Sequence, residues 1–475
     1  FFRSPFQSIH MGNIFDKCMG EDPQSPRVSR VAPPSSVVTA AETEALFAAY
    51  IDSAKGEPLP LDLTDAAAWD RVYALADKLM AELKTVDNLR AFEKALLKKQ
   101  RELPTMIHLA AKMATSKTIM ASCPPVFVSM VVAMYNEKNR MSTKEEHENG
   151  ENFLVMKARE MSWLFEVAPQ SGWEVIYVDD GCPVESGKLA TERIAAKGIP
   201  NSRILYLQDG IDNKEPNFDD IKNTKDSQKG GAVTYGMWMA SKEEHPGQEH
   251  IIVFTDADLA ANLAQTGFLC SNLCSSPTRM SCVGSRYDEG GIFCNEKGAM
   301  GVTKNFELLA FRDFQKRLLL PVLGKGRDTQ CGFKAFKAEA VRKIVPFVTD
   351  RKFSFDMQLL MLVALNCGGE PAMGSEAIVY VDSLAESNFY QQGSADPMAE
   401  SYKSYFNMLG RILALHDLYA NQMTISADSK PMIEFLRSLT LETFSKMMGT
   451  MPRMDGKPDW GRDFSVADCK GWAGL

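Results

Sequence analysis

Acidic side chains follow two apolar segments of the chain, at the places where strands of a sheet are expected to end. Residues 174–178 run directly into Asp179 and Asp180, and a second apolar segment runs into Asp256 and Asp258. Open α/β sheets bind ligands at the carboxyl ends of their strands. Two carboxylates two residues apart can hold a hard divalent cation, and such an ion can neutralise a diphosphate. A solvated strand-end turn is the alternative interpretation of the Asp-x-Asp pair, because aspartate is common in turns.

Other motifs of nucleotide and metal chemistry are incomplete. Residues 181–188 resemble a phosphate loop, but the two glycines are one residue too far apart and Leu189 replaces the required Ser or Thr. Gly324 and Gly326 lack a third glycine at the spacing of a dinucleotide site. The four cysteines within 270–294 lack paired Cys-x-x-Cys spacing, which favours buried thiols over zinc ligands.

The composition limits the class of protein. Of the 475 residues, 45% are hydrophobic and 24% are charged, which is typical of a folded chain with a large core. The 53 basic residues are outnumbered by 61 acidic ones, and the net charge of −8 argues against a nucleic-acid-binding protein. The ten cysteines are spread along the chain, so a reducing compartment, the cytosol, is favoured.

The pattern of apolar residues divides the chain into four parts. Residues 1–40 begin the chain with a Pro- and Ser-rich lead-in that is predicted to be disordered. Helical patterns dominate in residues 41–122, where Asp65 is a predicted helix cap, and again in residues 396–475. Between them, over residues 123–395, short apolar runs alternate with helices and predict an α/β domain with a parallel or mixed sheet. The predicted strands are residues 126–134, 174–178, 203–207, 251–255 and 280–284.

Two features bear on membrane contact. The apolar residues 126–135 are too few for a bilayer span of ~20 residues and suit a buried strand. Met11 and Gly12 resemble a translation start that exposes an N-terminal glycine, and Cys18 lies nearby, which is the pattern of a double acyl anchor. A flexible tail is the alternative, because Asp16 stands where that motif has Ser or Thr. An acylated tail would give the protein peripheral contact with a membrane.

Six short motifs occur in one order between residues 126 and 388. They are residues 135–137 (YNE), 178–181 (VDDG), 229–233 (KGGAV), 256–258 (DAD), 284–286 (GSR) and 327–334 (RDTQCGFK). This order resembles the family 2 glycosyltransferases of the GT-A fold, and within them the dolichyl-phosphate β-glucosyltransferases and related polyprenyl-phosphate sugar transferases. The last motif is the most specific, whereas Asp-x-Asp is shared by many transferases.

The resemblance implies an α/β GT-A domain with extra helical segments, and a role for each matching residue. The nucleotide-sugar donor, UDP-glucose, is expected to contact Tyr135, Asn136, Glu137, Asp179, Asp180, Lys229, Gly230 and Asp256. Asp256 and Asp258 are expected to hold Mg²⁺ or Mn²⁺. The acceptor phosphate is expected to contact Arg286, Arg327 and Lys334, for which surface ion pairs are the alternative. Asp328 is expected to orient or deprotonate the acceptor.

The predicted function is therefore metal-dependent, inverting transfer of glucose to a polyprenyl or dolichyl phosphate, at the cytosolic face of the endoplasmic reticulum. Cys182 and Gln228 depart from the family pattern, which has Ser and Gly there, and the family's membrane helix has no counterpart in the sequence. Two alternatives stay open. One is a transferase with a soluble acceptor, for which Asp328 would act as a true base. The other is an inactive nucleotide-sugar-binding scaffold whose extra helices engage a partner.

Overall fold

The structure of the protein is a computed structural model that describes residues 40–99, 102–218, 221–294, 306–352, 354–383, 397–453 and 458–475. The predicted lead-in up to residue 39, with Gly12 and Cys18, lies outside these residues. The described strands are β1 (Val126–Met134), β2 (Gly172–Asp179), β3 (Ser202–Tyr206), β4 (Glu249–Thr255), β5 (Ser281–Ser285), β6 (Ile292–Cys294), β7 (Phe333–Lys337), β8 (Met373–Ala377) and β9 (Val379–Val381).

Helices both flank the strands and connect them. Those before the first strand are α1 (Ala40–Ser53), α2 (Ala66–Leu83), α3 (Val86–Leu97) and α4 (Thr105–Met120). Those among the strands are α5 (Lys138–Met141), α6 (Phe153–Phe165), α7 (Ser186–Lys197), α8 (Leu207–Asp212), α9 (Gly230–Ser241), α10 (Thr266–Cys274), α11 (Phe306–Leu319), α12 (Ala338–Ile344) and α13 (Phe355–Asn366). The last are α14 (Pro397–Tyr419), α15 (Lys430–Ser438), α16 (Leu441–Thr450) and α17 (Val466–Ala473).

A seven-stranded sheet has the order β3-β2-β1-β4-β7-β5-β8. The strands β1 to β4 pair in parallel, β7 runs antiparallel to both of its neighbours, and β5 pairs in parallel with β8. A smaller parallel sheet joins β6 to β9. The predicted α/β fold class with flanking helices is confirmed, and each of the five predicted strands ends within two residues of its prediction.

The register of the parallel strands brings their carboxyl ends to one edge. Met134 lies opposite Asp179, and Val132 lies opposite Thr255, so the ends of β1, β2 and β4 are level to within two residues. These strands are almost continuously apolar because helices cover both faces of the sheet. The polar residues that follow the three strands therefore meet at one place.

The antiparallel strand β7 adds a further segment to this edge. Its first residue, Phe333, lies opposite Thr255, the last residue of β4. A reversed strand begins where its parallel neighbours end, so residues 327–332, which precede β7, arrive at the carboxyl edge of the sheet. The strand β5 ends there as well, at Ser285. The sequence did not predict β7, because its residues were assigned to a motif and not to a strand.

The flanking helical segments share one hydrophobic core with the sheet. Asp65 caps α2 as predicted, since its side chain accepts a hydrogen bond from the backbone N–H of Ala67 at 2.9 Å. The apolar side of α2 is buried, including Trp69, whose indole N–H donates to the carbonyl of Leu63 at 3.0 Å. The domain boundaries at residues 122 and 395 stay predictions.

Among the helices that the structure describes, none has the length and apolar character that a bilayer crossing requires.

We predict that Trp69→Ala lowers the free energy of unfolding by about 3–5 kcal/mol, because it empties a buried site and leaves the Leu63 carbonyl without its donor. Chemical denaturation followed by circular dichroism measures this change. The control is Leu418→Ala, which removes a largely exposed side chain and should change stability by less than about 0.5 kcal/mol. Equal effects of the two substitutions would contradict the packing of α2 into the common core.

Candidate functional site

The loop after β2 is organised by Asp179. One carboxylate oxygen, Oδ1, accepts hydrogen bonds from the N–H groups of Gly181 and Cys182, each at 2.9 Å. The other, Oδ2, accepts from the N–H of Gly187 at 2.6 Å. Both oxygens of Asp179 thus satisfy backbone donors of its own loop, and this fixes the position of the next residue, Asp180.

Asp180 presents an open hydrogen-bond acceptor. Its Oδ2 accepts a hydrogen bond from the backbone N–H of Lys229 at 2.6 Å, whereas its buried Oδ1 has no partner at hydrogen-bond distance among the described residues, although the Ser227 hydroxyl lies close enough to stabilise the charged carboxylate. Burial raises the pKa of Asp180 to about 6. A buried carboxylate oxygen without a donor is costly, so this atom is a place where a ligand N–H or O–H would be bound.

The loops after β1 and β2 are joined by Cys182. Its Sγ accepts a hydrogen bond from the N–H of Asn136 at 3.1 Å and lies 3.0 Å from the hydroxyl of Ser186. That hydroxyl in turn accepts from the N–H of Glu137 at 3.1 Å. The thiol thus occupies the hydrogen-bonding position for which the family pattern has a serine. Tyr135 and Asn136 are exposed beside it, at the surface of the site.

Lys229 connects the carboxyl ends of β2 and β4. Its backbone has a φ of +63°, an unfavourable value for a residue with a side chain, and its ammonium forms an ion pair with Asp256. The next residue must be glycine, because a Cβ on Gly230 would lie 2.6 Å from the carbonyl carbon of Arg351. Contacts on both sides of Lys229 therefore maintain its unfavourable backbone conformation. This conformation positions the Lys229 ammonium against Asp256, the first aspartate of the Asp-x-Asp pair.

The two aspartates of that pair have opposite pKa shifts. Burial disfavours the charged form of Asp256, but Lys229 outweighs this effect and the pKa of Asp256 is lowered. Burial and the charge of Asp256 both raise the pKa of Asp258. Lys157, which is fully buried, donates to the backbone carbonyl of Asp258 at 2.8 Å. The charge of Asp256 thus disfavours a second negative charge on Asp258, and a bound cation would relieve this repulsion.

A second layer of charge lies behind the aspartates. Glu137 is buried and paired with Arg140 at 2.9 Å, and Arg140 lies 3.7 Å from Glu151. Glu151 accepts a hydrogen bond from the N–H of Leu259 at 2.8 Å, and burial together with the charge of Asp258 raises the pKa of Glu151 to about 7. Glu137 is therefore a supporting residue below the surface, in contrast to the exposed Asn136 beside it.

Asp328, which precedes β7, and Arg286, which follows β5, form a buried ion pair at the carboxyl edge of the sheet. The guanidinium donates two hydrogen bonds to the carboxylate, both at 2.8 Å, and the backbone N–H of Arg286 adds a third at 2.9 Å. The charge of Arg286 overcomes burial and lowers the pKa of Asp328. The guanidinium also lies 5.1 Å from the ring centres of Tyr287 and Tyr380. This geometry favours an orienting role for Asp328 over proton transfer.

The other two predicted acceptor-binding cations lie in different surroundings. Arg327 is exposed, with its guanidinium 5.9 Å from the ring centre of Trp460. Lys334 is fully buried, and its ammonium donates to the carbonyl of Cys331 and lies 3.3 Å from a carboxylate oxygen of Asp356. In this arrangement the charge of Lys334 lies beneath the surface, whereas Arg327 is exposed and Arg286 is partly exposed.

Sequence reasoning missed three residues that shape the site. A Cβ on Gly332 would lie 2.3 Å from an oxygen of Asp256, so this glycine makes room for the aspartate. Glu151 and Lys157 are charged residues buried beside Asp258. The burial of Lys157 could have been predicted from the sequence. Lys157 lies in the apolar helix α6, four residues after the buried Phe153, and therefore on the same side of the helix. Glu151 has no such signal, since it lies in an irregular segment.

The sheet order defines an α/β protein whose acidic strand ends gather at the carboxyl edge of its sheet. No protein-family model matches the chain. The chain is similar to the dolichyl-phosphate β-glucosyltransferase of Dictyostelium discoideum, with 25% identity over 248 residues, covering 50% of this chain and 62% of that protein. The human dolichyl-phosphate β-glucosyltransferase is 26% identical over 246 residues, with 50% and 63% covered. The resemblance indicated by the motifs is confirmed by these relatives.

The chain spans about three fifths of the length of the curated relatives that it matches. Among solved structures, it is similar to glucosyl-3-phosphoglycerate synthase from Mycobacterium tuberculosis in complex with Mn²⁺, UDP and glucosyl-3-phosphoglycerate. The identity is 15% and the TM-score is 0.37, over 63% of this chain and 84% of that one.

We predict that Gly332→Ala lowers the free energy of unfolding by about 1–3 kcal/mol, because the new methyl group overlaps the carboxylate of Asp256. Urea denaturation measures the change. Gly326→Ala is the matched control in the same loop, since its Cβ would meet nothing closer than a carbonyl oxygen at 3.5 Å. If both alanine variants unfold at the same urea concentration, the close approach of Gly332 to Asp256 is not present in solution.

Proposed function

We propose that the chain is a glycosyltransferase that transfers glucose from UDP-glucose to a polyprenyl phosphate. The observation that carries the proposal is the order of charged and polar groups along the carboxyl edge of the sheet. The hydrogen-bond acceptor of Asp180 comes first, the ammonium of Lys229 comes next, and the carboxylates of Asp256 and Asp258, which repel each other, come last. Such a series matches a nucleoside diphosphate sugar, which presents the hydrogen-bond donors of its base and ribose at one end and a diphosphate between the ribose and the sugar. The similarity to dolichyl-phosphate β-glucosyltransferases supports the same assignment.

In this proposal the donor lies along the carboxyl edge. The free Oδ1 of Asp180 accepts a hydrogen bond from the base or the ribose of the nucleotide, which satisfies the buried oxygen. The ammonium of Lys229 forms an ion pair with Asp256 in the structure without donor. When the donor is bound beside the two aspartates, this ammonium is close enough to contact the diphosphate. Charge-assisted hydrogen bonds of this kind are among the stronger ones in proteins, so Lys229 contributes to donor affinity.

The donor set of Asp256 and Asp258 fits Mg²⁺ or Mn²⁺. Both ions prefer carboxylate oxygens, and a divalent cation relieves the repulsion that raises the pKa of Asp258. Within the described residues no group of three or more His, Cys, Asp or Glu side chains is placed to hold a metal, so the remaining ligands are assigned to the diphosphate and water. A cation bound there supplies positive charge to the departing diphosphate.

The acceptor phosphate is assigned to the side of Arg286. A phosphate dianion is already a nucleophile, so the step needs orientation more than a base. Asp328 holds Arg286 through two hydrogen bonds and thereby fixes the direction of its guanidinium. In the reaction, a phosphate oxygen forms a bond to the anomeric carbon of glucose while the bond from that carbon to the diphosphate breaks. Attack from the face opposite the leaving group inverts the anomeric centre.

We predict that the purified chain, given UDP-[¹⁴C]glucose, Mn²⁺ and dolichyl phosphate in detergent, produces a labelled lipid, and that EDTA abolishes the product. Asp258→Asn should lower turnover at least about 100-fold, because it removes one of the two metal ligands. Asp428→Asn, an exposed aspartate of the C-terminal segment, is the control and should retain parent turnover. Label found only in a water-soluble product would favour the soluble-acceptor alternative. Bound UDP with no product in any assay would favour the scaffold.

A further prediction concerns pH. Below its pKa of about 6, Asp180 takes up a proton. The proton binds Oδ1, because Oδ2 already accepts a hydrogen bond from the backbone N–H of Lys229. Protonation therefore converts Oδ1 from a hydrogen-bond acceptor into a donor. Affinity for uridine, which has no phosphate to titrate, should therefore fall roughly tenfold between pH 7.5 and pH 5. NMR titration measures this affinity. Asp180→Asn should bind weakly at every pH, and a parent affinity independent of pH would remove Asp180 from the donor site.

Cytosolic location and peripheral membrane contact stay predictions, since the proposed anchor residues lie outside the described part of the chain.

A further inference from the structure

Lys157 is fully buried on the side of helix α6 that contacts the loop after β4. Its side-chain nitrogen donates to the backbone carbonyl of Asp258 at 2.8 Å, which is its one hydrogen bond among the described residues. A buried lysine is costly unless opposite charges lie near it, and Glu160 and Asp258 supply the largest of these. The fold therefore retains a costly residue whose hydrogen bond is made to the backbone of the Asp-x-Asp pair.

The peptide group between Asp258 and Leu259 is held at both of its polar atoms. Lys157 binds the carbonyl oxygen, and a carboxylate oxygen of Glu151 accepts a hydrogen bond from the N–H of Leu259 at 2.8 Å. The other carboxylate oxygen of Glu151 accepts from the hydroxyl of Ser383 at 2.8 Å. Because a peptide group is planar, these partners fix the rotation of the backbone directly after Asp258. They therefore also set the direction in which the Asp258 side chain leaves the backbone.

Helix α6 also holds the far end of the same loop. Glu160 is fully buried and accepts hydrogen bonds from the side-chain N–H of Asn262 at 3.0 Å and from the backbone N–H of Leu263 at 2.9 Å. Within the loop, the carboxylate of Asp258 accepts from the backbone N–H of Ala260 at 3.2 Å. The loop is thus fixed at its start and at its end by buried side chains of one helix and the segment before it.

The opposite side of α6 is attached to α2 of the N-terminal helical segment. Arg159 pairs with Asp70 at 2.7 Å, and its guanidinium lies 4.2 Å from the ring centre of Tyr73. The indole N–H of Trp163 donates to Asp77 at 3.0 Å. The N-terminal segment therefore supports the helix that holds the loop of the Asp-x-Asp pair.

We propose that Lys157 is a positioning residue for the metal ligand Asp258: it fixes the peptide group after Asp258 and so holds the carboxylate in place before the ion binds. A ligand that is already in place loses less conformational freedom when the ion binds, so the affinity for the ion is higher. The inference rests on the proposed function and deepens it, because it assigns the geometry of the metal site to α6 and, through α6, to α2.

The charge of Lys157 by itself would have the opposite effect. An ammonium beside a metal ligand repels a divalent cation, so its removal should tighten cation binding if charge alone matters. Removal of a positioning contact should instead weaken cation binding. The substitution Lys157→Met keeps the length and the apolar part of the side chain, so the direction of its effect distinguishes the two roles.

The first measurement is the affinity for Mn²⁺ at saturating UDP, followed by the electron paramagnetic resonance signal of the free ion. Lys157→Met should weaken Mn²⁺ binding roughly tenfold or more. Arg159→Gln is the matched control, since it removes a positive charge from the α2 side of the same helix, and should bind Mn²⁺ as the parent does. A lower melting temperature of Lys157→Met with unchanged or tighter Mn²⁺ binding would show a purely structural role and overturn the inference.

The second measurement needs no ligand. Hydrogen exchange, followed by mass spectrometry of peptides that cover residues 256–263, should be at least about tenfold faster in Lys157→Met, because the N–H of Leu259 is no longer held against Glu151. The same peptides of Arg159→Gln should exchange at the parent rate. Parent-like exchange in Lys157→Met would overturn the inference as well.

A second variant applies if Lys157→Met does not fold. Lys157→Met combined with Glu160→Gln removes both buried charges, and this double variant should fold, bind Mn²⁺ weakly and exchange rapidly in residues 256–263. Parent-like Mn²⁺ affinity of the double variant would overturn the inference. A parent that binds no Mn²⁺ in the presence of UDP refutes the proposed function, whereas faster exchange in Lys157→Met still supports the role of Lys157 in fixing the loop.

Discussion

The ion pair between Lys229 and Asp256 is the interaction on which the arrangement of the site depends. It joins the start of α9 to the end of β4, and the backbone N–H of the same lysine holds Asp180 at the end of β2. Both side chains are only partly exposed, so breaking the pair leaves a charge with reduced hydration and without its partner. The geometry of the sheet edge is therefore set by charge balance as much as by packing.

The strained loop around Lys229 is supported from the C-terminal side of the chain. The carbonyl of Arg351 accepts hydrogen bonds from the N–H groups of Gln228 and Gly231 at 2.9 and 3.2 Å. One residue earlier, Asp350 pairs with Arg411 of α14 at 3.1 Å. The C-terminal segment thus helps to position the lysine that contacts Asp256.

The reversed strand β7 explains how donor and acceptor residues come to one edge. If all strands were parallel, the segment before β7 would lie at the opposite end of the sheet. Because β7 is antiparallel, Asp328 and Gly332 arrive beside Asp256, and β5 delivers Arg286 from the other side. One change of strand direction therefore brings Gly332 to Asp256, which lies 76 residues earlier in the chain.

Local patterns were sufficient to predict five of the nine described strands. The five predicted strands, the cap at Asp65 and the apolar side of α2 follow from periodicity and propensity, which act over a few neighbouring residues. The acidic residues at the strand ends were also predicted, because the chain must become polar where it leaves a buried sheet. The sequence of motifs between residues 135 and 334 indicated the family resemblance, and similar proteins confirm it.

The sequence by itself thus determined five of the strands and which residues lie at their ends, whereas β6, β7, β8 and β9 were not predicted. Only the tertiary structure decided what those side chains do. Asp328 meets Arg286 across 42 residues and Lys229 meets Asp256 across 27, whereas Lys334, predicted to contact the acceptor phosphate, is buried against Asp356. Burial, charge pairing and pKa shifts depend on neighbours that are distant in the chain, and local propensity contains no information about those neighbours.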